Sequence, residues 1–78
     1  MQLRVISPDK ILLQANASEL IVKTEGGELG ILDHHAPLIG TLKPGVIRAK
    51  VEGDWKDIPA AKGLLEVQNN QVIILVEE

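Results

Sequence analysis

Punctuation constrains this chain more than any other feature. Pro8, Gly26, Gly27, Gly30, Pro37, Gly40, Pro44, Gly45, Gly53, Pro59 and Gly63 cut it into short runs rich in β-branched residues. Glycine and proline are costly inside helices and natural at tight turns, so the spacing predicts short strands joined by turns. Gln2 to Ser7 runs into Ser7-Pro8-Asp9, where proline is preset for a turn. Glu25-Gly26-Gly27 supplies the positive φ that a hairpin needs, and Glu28 to Leu32 is a short strand behind it. Pro44-Gly45 reads as a type II turn. After it Ile47, Ala49 and Val51 point one way and Arg48, Lys50 and Glu52 the other, as on a half-buried strand. Glu52-Gly53-Asp54 turns the chain, and Trp55 to Ala61 returns. Leu64 to Gln68 and Val72 to Val76 are joined by Asn69-Asn70, two residues that tolerate left-handed backbone.

One segment resists this reading. Asp9 to Glu25 has no glycine or proline, and Leu13, Ala17, Leu20 and Ile21 fall on one helical face with Asp9 as a cap. Ile21-Val22 and the interruption at Asn16 favour two strands, Lys10 to Ala17 and Glu19 to Thr24. A two-layer all-β domain follows. Val72-Ile73-Ile74-Leu75-Val76 is apolar at both parities, so both faces of that strand need cover. One cover is then a partner or a further segment.

With 78 residues the chain is one small domain, residues 1–78. Its cysteine count is zero, which excludes disulfides, thiolate nucleophiles and cysteine metal sites. A small domain of this kind belongs more often to cytosol or organelle than to the secreted class. Net charge is −3 with scattered basic residues, unlike a nucleic-acid footprint. One tryptophan and no phenylalanine or tyrosine leave no stacking platform. No apolar run approaches the roughly 20 residues of a membrane helix, and Met1-Gln2-Leu3-Arg4 does not open a signal peptide. Membrane association is therefore expected through a protein partner.

Candidate chemical groups have ordinary readings. In Asp33-His34-His35, adjacent side chains of an extended chain point apart, and no third histidine or cysteine exists to complete a metal site. Ser7 and Ser18 lie in no nucleophile elbow. Gly40-Thr41-Leu42-Lys43-Pro44-Gly45 has phosphate-loop spacing, but Val46 and Ile47 follow it and Pro44 lacks a donor. Gly26-Gly27-Glu28-Leu29-Gly30 fails the dinucleotide fingerprint. No catalytic residue, cofactor or metal is expected. Glu28 stands out instead: beside a double-glycine turn it is either a solvated strand-start charge or a polar contact to a partner.

Gly27-Glu28-Leu29-Gly30-Ile31-Leu32, His35-Ala36-Pro37-Leu38, Lys43-Pro44-Gly45, Leu64-Leu65-Glu66-Val67 and Val72-Ile73-Ile74-Leu75, with the opening Arg4-Val5-Ile6-Ser7-Pro8-Asp9-Lys10, resemble the N-terminal domain of the epsilon subunit of F-type ATP synthases, called delta in mitochondria. The resemblance implies a flattened β-sandwich of two stacked, mostly antiparallel sheets, roughly five strands each. The helical hairpin that usually follows in that family has no counterpart in these residues. The resemblance also implies a non-catalytic rotor subunit of the central stalk, peripheral to the energy-transducing membrane on its cytoplasmic, stromal or matrix side. Its partners would be the gamma subunit and the membrane c-ring. Glu28, Gly30 and Ile31 would face the c-ring; Ser7, His35, Ala36, Pro37 and Leu38 would face gamma. Two positions depart from the family pattern. Asp33-His34 stands where Pro-Gly is usual, asking a histidine for a positive φ. Lys62-Gly63 stands where Gly-Gly is usual.

Two other functions compete. A lipoyl or biotinyl carrier domain is also small and all-β, but needs a lysine at a hairpin tip, a setting that neither Lys23 nor Lys56 offers. The other is a generic β-rich protein-binding adaptor.

Overall fold

The computed structural model describes residues 1–77 and contains eight strands. They are β1 (Gln2–Ile6), β2 (Ile11–Thr24), β3 (Gly27–Leu32), β4 (Leu38–Leu42), β5 (Gly45–Val51), β6 (Asp54–Ala60), β7 (Gly63–Gln68) and β8 (Gln71–Val76). The ladder runs β1-β8-β7-β4-β2-β5-β6, with β3 added on β2 and β1 closing back onto β2. All pairs are antiparallel except β1 with β8.

Strand β2 is the corner of the molecule. Its residues 11–16 pair with β1, and its residues 17–24 with β3 and β5. One layer is therefore β4-β7-β8-β1 with the first half of β2; the other is β3, the second half of β2, β5 and β6. The sandwich measures 26 × 24 × 18 Å. The two strands expected across Asp9–Glu25 are one strand of 14 residues, and no helix forms there. The break expected between Ala17 and Glu19 is a β-bulge instead: Ala17 registers with Val51 and Glu19 with Lys50, leaving Ser18 as the extra residue. Before the bulge the inward positions are odd-numbered, Leu13, Ala15 and Ala17; after it they are Leu20 and Val22. This phase slip sets successive inward positions, Ala17 and Leu20, three apart. The helical spacing in the sequence is that slip.

The core joins both layers: Leu3 and Val5 of β1, Leu20 and Val22 of β2, Ile31 of β3, Ile47 and Ala49 of β5, Leu65 and Val67 of β7, and Val72 and Ile74 of β8. All are aliphatic, so the packing relies on interdigitated branched side chains rather than rings.

The turns follow their chemistry. Asn69 and Asn70 have φ 53° and 57° between the paired Gln68 and Gln71, the signature of a type I′ hairpin. Glu52 (φ 52°) and Gly53 (φ 83°) do the same between Val51 and Asp54. Gly27 takes φ 117°. The type II turn expected at Pro44-Gly45 does not form: Gly45 has no positive φ and is the first residue of β5, across from Ala60.

Candidate partner-facing surfaces

Strand parity decides which of the expected contact residues reach solvent. On β3, Leu29 and Ile31 turn inward while Glu28, Gly30 and Leu32 turn outward. Glu28 is exposed, across from Lys23. The Lys23 chain lies over Gly45 instead, and Glu28 makes no ion pair among the described residues. Ile31 is 0% exposed in the core, so it offers no surface to a c-ring; its role is to anchor β3.

Ser7 is buried as well. It is 4% exposed, and its hydroxyl is used inside the β1–β2 turn, 3.2 Å from the Lys10 carbonyl and 3.3 Å from the Lys10 N–H. In the β3–β4 connection, Ala36 and Pro37 are exposed, His35 is half-buried with Nδ1 2.8 Å from the Ala36 carbonyl, and Leu38 packs against the core. The residues expected to face gamma do not form one patch. Ser7 follows the end of β1 that registers with Leu75, whereas His34, next to His35, donates its N–H to Asn70 at the other end. The length of β1, about 17 Å for five residues, separates them.

His34 takes φ 63°, so the departure from Pro-Gly is accommodated by a histidine in the left-handed region. The same end holds the chain's α-ammonium. Met1 N donates to the Ala17 carbonyl at 2.8 Å, to Asn16 Oδ1 at 3.2 Å and to the Asp33 carboxylate. The hydrogen bond from that ammonium holds the Asp33 carboxyl below the usual carboxylate range, with smaller help from His34 and Asn70. Among the described residues no cluster of three or more His, Cys, Asp or Glu is placed to hold a metal. Lys23 and Lys56 lie within β2 and β6 and not at a hairpin tip.

The sequence missed an aliphatic band on the outer face of the five-strand layer. Leu64 (53% exposed) registers with Leu75 (49%), Leu75 with Ile6, and Ile6 with Ile11 (53%). Ile39, at 79%, is the most exposed large apolar side chain and lies on the same face. An open groove of about 420 Å³ lined by Thr41, Lys62, Gly63, Leu64, Leu75, Val76 and Glu77 borders the band. The double parity of Val72–Val76 was the signal for Leu75; its continuation through Leu64 and Ile6 depends on register. On the opposite face Trp55 packs under Arg48 (5.0 Å) and Lys50 (5.8 Å).

The family model for the ATP synthase delta/epsilon chain β-sandwich domain matches residues 1–78. The chain belongs to that family. Among its relatives, the ATP synthase epsilon chain of a Synechococcus species is 46% identical over 76 residues, covering 97% of this chain and 55% of that one. The chloroplast epsilon chain of Emiliania huxleyi is 45% identical over 75 residues, covering 96% and 58%. This chain thus spans little more than half the length of these relatives. A chain in the cryo-EM structure of the Euglena gracilis mitochondrial ATP synthase superposes with TM-score 0.92 at 24% identity, covering 97% of this chain and 49% of that one. One in the Tetrahymena thermophila central stalk and c-ring superposes with TM-score 0.84 at 22% identity, covering 100% and 63%. At those identities the likeness carries the sandwich fold of the delta/epsilon family.

Proposed function

We propose that this chain is a non-catalytic central-stalk subunit of an F-type ATP synthase. In this reading residues 1–78 are one β-sandwich domain that links gamma to the c-ring and couples ion translocation to ATP synthesis or hydrolysis. The match of the delta/epsilon domain over the whole chain carries this reading. In this reading the subunit is peripheral to the energy-transducing membrane, on the cytoplasmic side in bacteria and the stromal or matrix side in organelles. The physical form supports it. A two-layer sandwich with two-residue turns is stiff, as a torque-bearing part must be. A contiguous aliphatic band on the outer face of a small domain is a recurrent mark of a protein interface.

Glu28 and Gly30 serve as the c-ring-facing pair. Ala36 and Pro37 with the half-buried His35 serve toward gamma, and Ile31, Ser7 and Leu38 support these surfaces from within. The first test is calorimetric binding of the purified chain to its cognate gamma subunit, where a one-to-one complex is expected. A folded chain that does not bind contradicts the stalk assignment for these residues. Glu28→Lys is expected to lower ion pumping in the assembled enzyme without changing the melting temperature of the domain. Unchanged pumping removes Glu28 from the c-ring contact.

A further inference from the structure

The two layers end in four strand edges, β4 and the first half of β2 in one and β3 and β6 in the other, and they are not alike. The outer edge of β6 carries Pro59, which has no N–H to offer, and the exposed Lys56, both common protections against unwanted pairing. The edge of β4 is short and bounded by Pro37 and Pro44. The first half of β2, Ile11–Asn16, and β3, Gly27–Leu32, have no proline, lysine or arginine, and of the two only β3 carries a charge, the exposed Glu28.

Its hydrogen-bonding phase is fixed by the hairpin. Thr24 and Gly27 flank a two-residue loop, so they form a hydrogen-bonded pair, as do Val22 with Leu29 and Leu20 with Ile31. Lys23 O, accepting from Lys43 N on the far side of β2 at 2.9 Å, agrees with that phase. Glu28, Gly30 and Leu32 therefore aim backbone groups at the open edge. Only the Leu32 carbonyl is used, by the His35 N–H at 3.2 Å. Gly30 has neither a positive φ nor a neighbour within 4 Å of where a Cβ would stand, so its own fold does not demand a glycine there. Leu32 beside it is 60% exposed.

We propose that the free edge of β3 is a strand-addition site that takes an extended segment of another subunit of the assembly. Backbone hydrogen bonds to Glu28, Gly30 and the Leu32 N–H hold the segment. Alternate side chains of the added strand meet the outer face: a basic one opposite the unpaired Glu28 carboxylate, a large one over the space at Gly30, and an apolar one against Leu32. The inference rests on the reading that Glu28 and Gly30 face a partner, and adds the mode of contact.

Hydrogen exchange of the β3 amides, compared between the free chain and the assembled ATP synthase, tests it. The Glu28, Gly30 and Leu32 amides are expected to exchange fast in the free chain and at least tenfold slower, roughly, in the complex. Gly30→Pro removes one edge donor without touching the β2 ladder and is expected to lower occupancy of this subunit in the complex. A thermal melt of the variant checks folding, and the wild-type exchange experiment decides if Gly30→Pro does not fold. Equal exchange in both states overturns strand addition. If Glu28→Lys then still lowers ion pumping, the contact of Glu28 with its partner stands and is made by side chains alone. If it does not, both readings of Glu28 fall. A free chain that self-associates with protected β3 amides makes the occupant a second copy and overturns the proposal.

Discussion

Single residues separate demands of the fold from demands of a partner most clearly at the glycines. A Cβ on Gly63 would stand 2.3 Å from the Leu75 carbonyl oxygen, a backbone atom that cannot move aside. Gly63→Ala is expected to destabilise the chain by about 1–3 kcal/mol in urea unfolding. The same change at Gly30 is expected to do little, since its added methyl meets open space. Gly63 is therefore held by the fold. Asp33 gives a pH dependence. Its carboxyl is held below the ordinary value of 3.8, so its contribution is present above that value and lost as pH falls through the folded-state value. The unfolded chain binds the extra proton in that window. Melts from about pH 5 down to about pH 2.5 are expected to fall more steeply for the wild type than for Asp33→Asn.

Elements carry the next level of explanation. The β3–β4 connection survives the loss of a glycine because His34 adopts φ 63° and its N–H reaches Asn70 Oδ1 at 2.8 Å. That conformation costs a non-glycine residue roughly 1–2 kcal/mol, partly offset by the lower unfolded-state entropy of histidine. His34→Gly is expected to raise stability by about 0.5–1 kcal/mol, read as an increase in melting temperature. The turns at Gly27, Gly53 and Asn69-Asn70 were legible because glycine and asparagine suit the left-handed backbone they take. Pro44-Gly45 misled because a proline-glycine pair suits both a turn and the entry to an edge-paired strand. Strand β2 misled because Ser18 shifts its inward parity, and no local signal separates a bulge from a helical step of three.

At the scale of the whole molecule, the aliphatic band matters most. Leu64 and Leu75 point away from the core, so Leu64→Ser with Leu75→Ser is expected to leave the melting temperature of the free chain nearly unchanged. Binding to the stalk partner is expected to weaken by about 1–2 kcal/mol, measured by calorimetry. A large loss of free-chain stability would instead make the band part of the domain's own packing.

The sequence by itself determined the strand-and-turn alphabet, the aliphatic core and the family. Those depend on local backbone preference, on alternation, and on a residue pattern running through the chain. Only the tertiary structure decided that β2 serves both layers through the Ser18 bulge, that Ile31 and Ser7 are buried beside exposed neighbours, and that Ile6, Ile11, Leu64 and Leu75 share one band. Parity within a strand is written locally. The register between strands far apart in the chain is set by how the two layers fit over a common core.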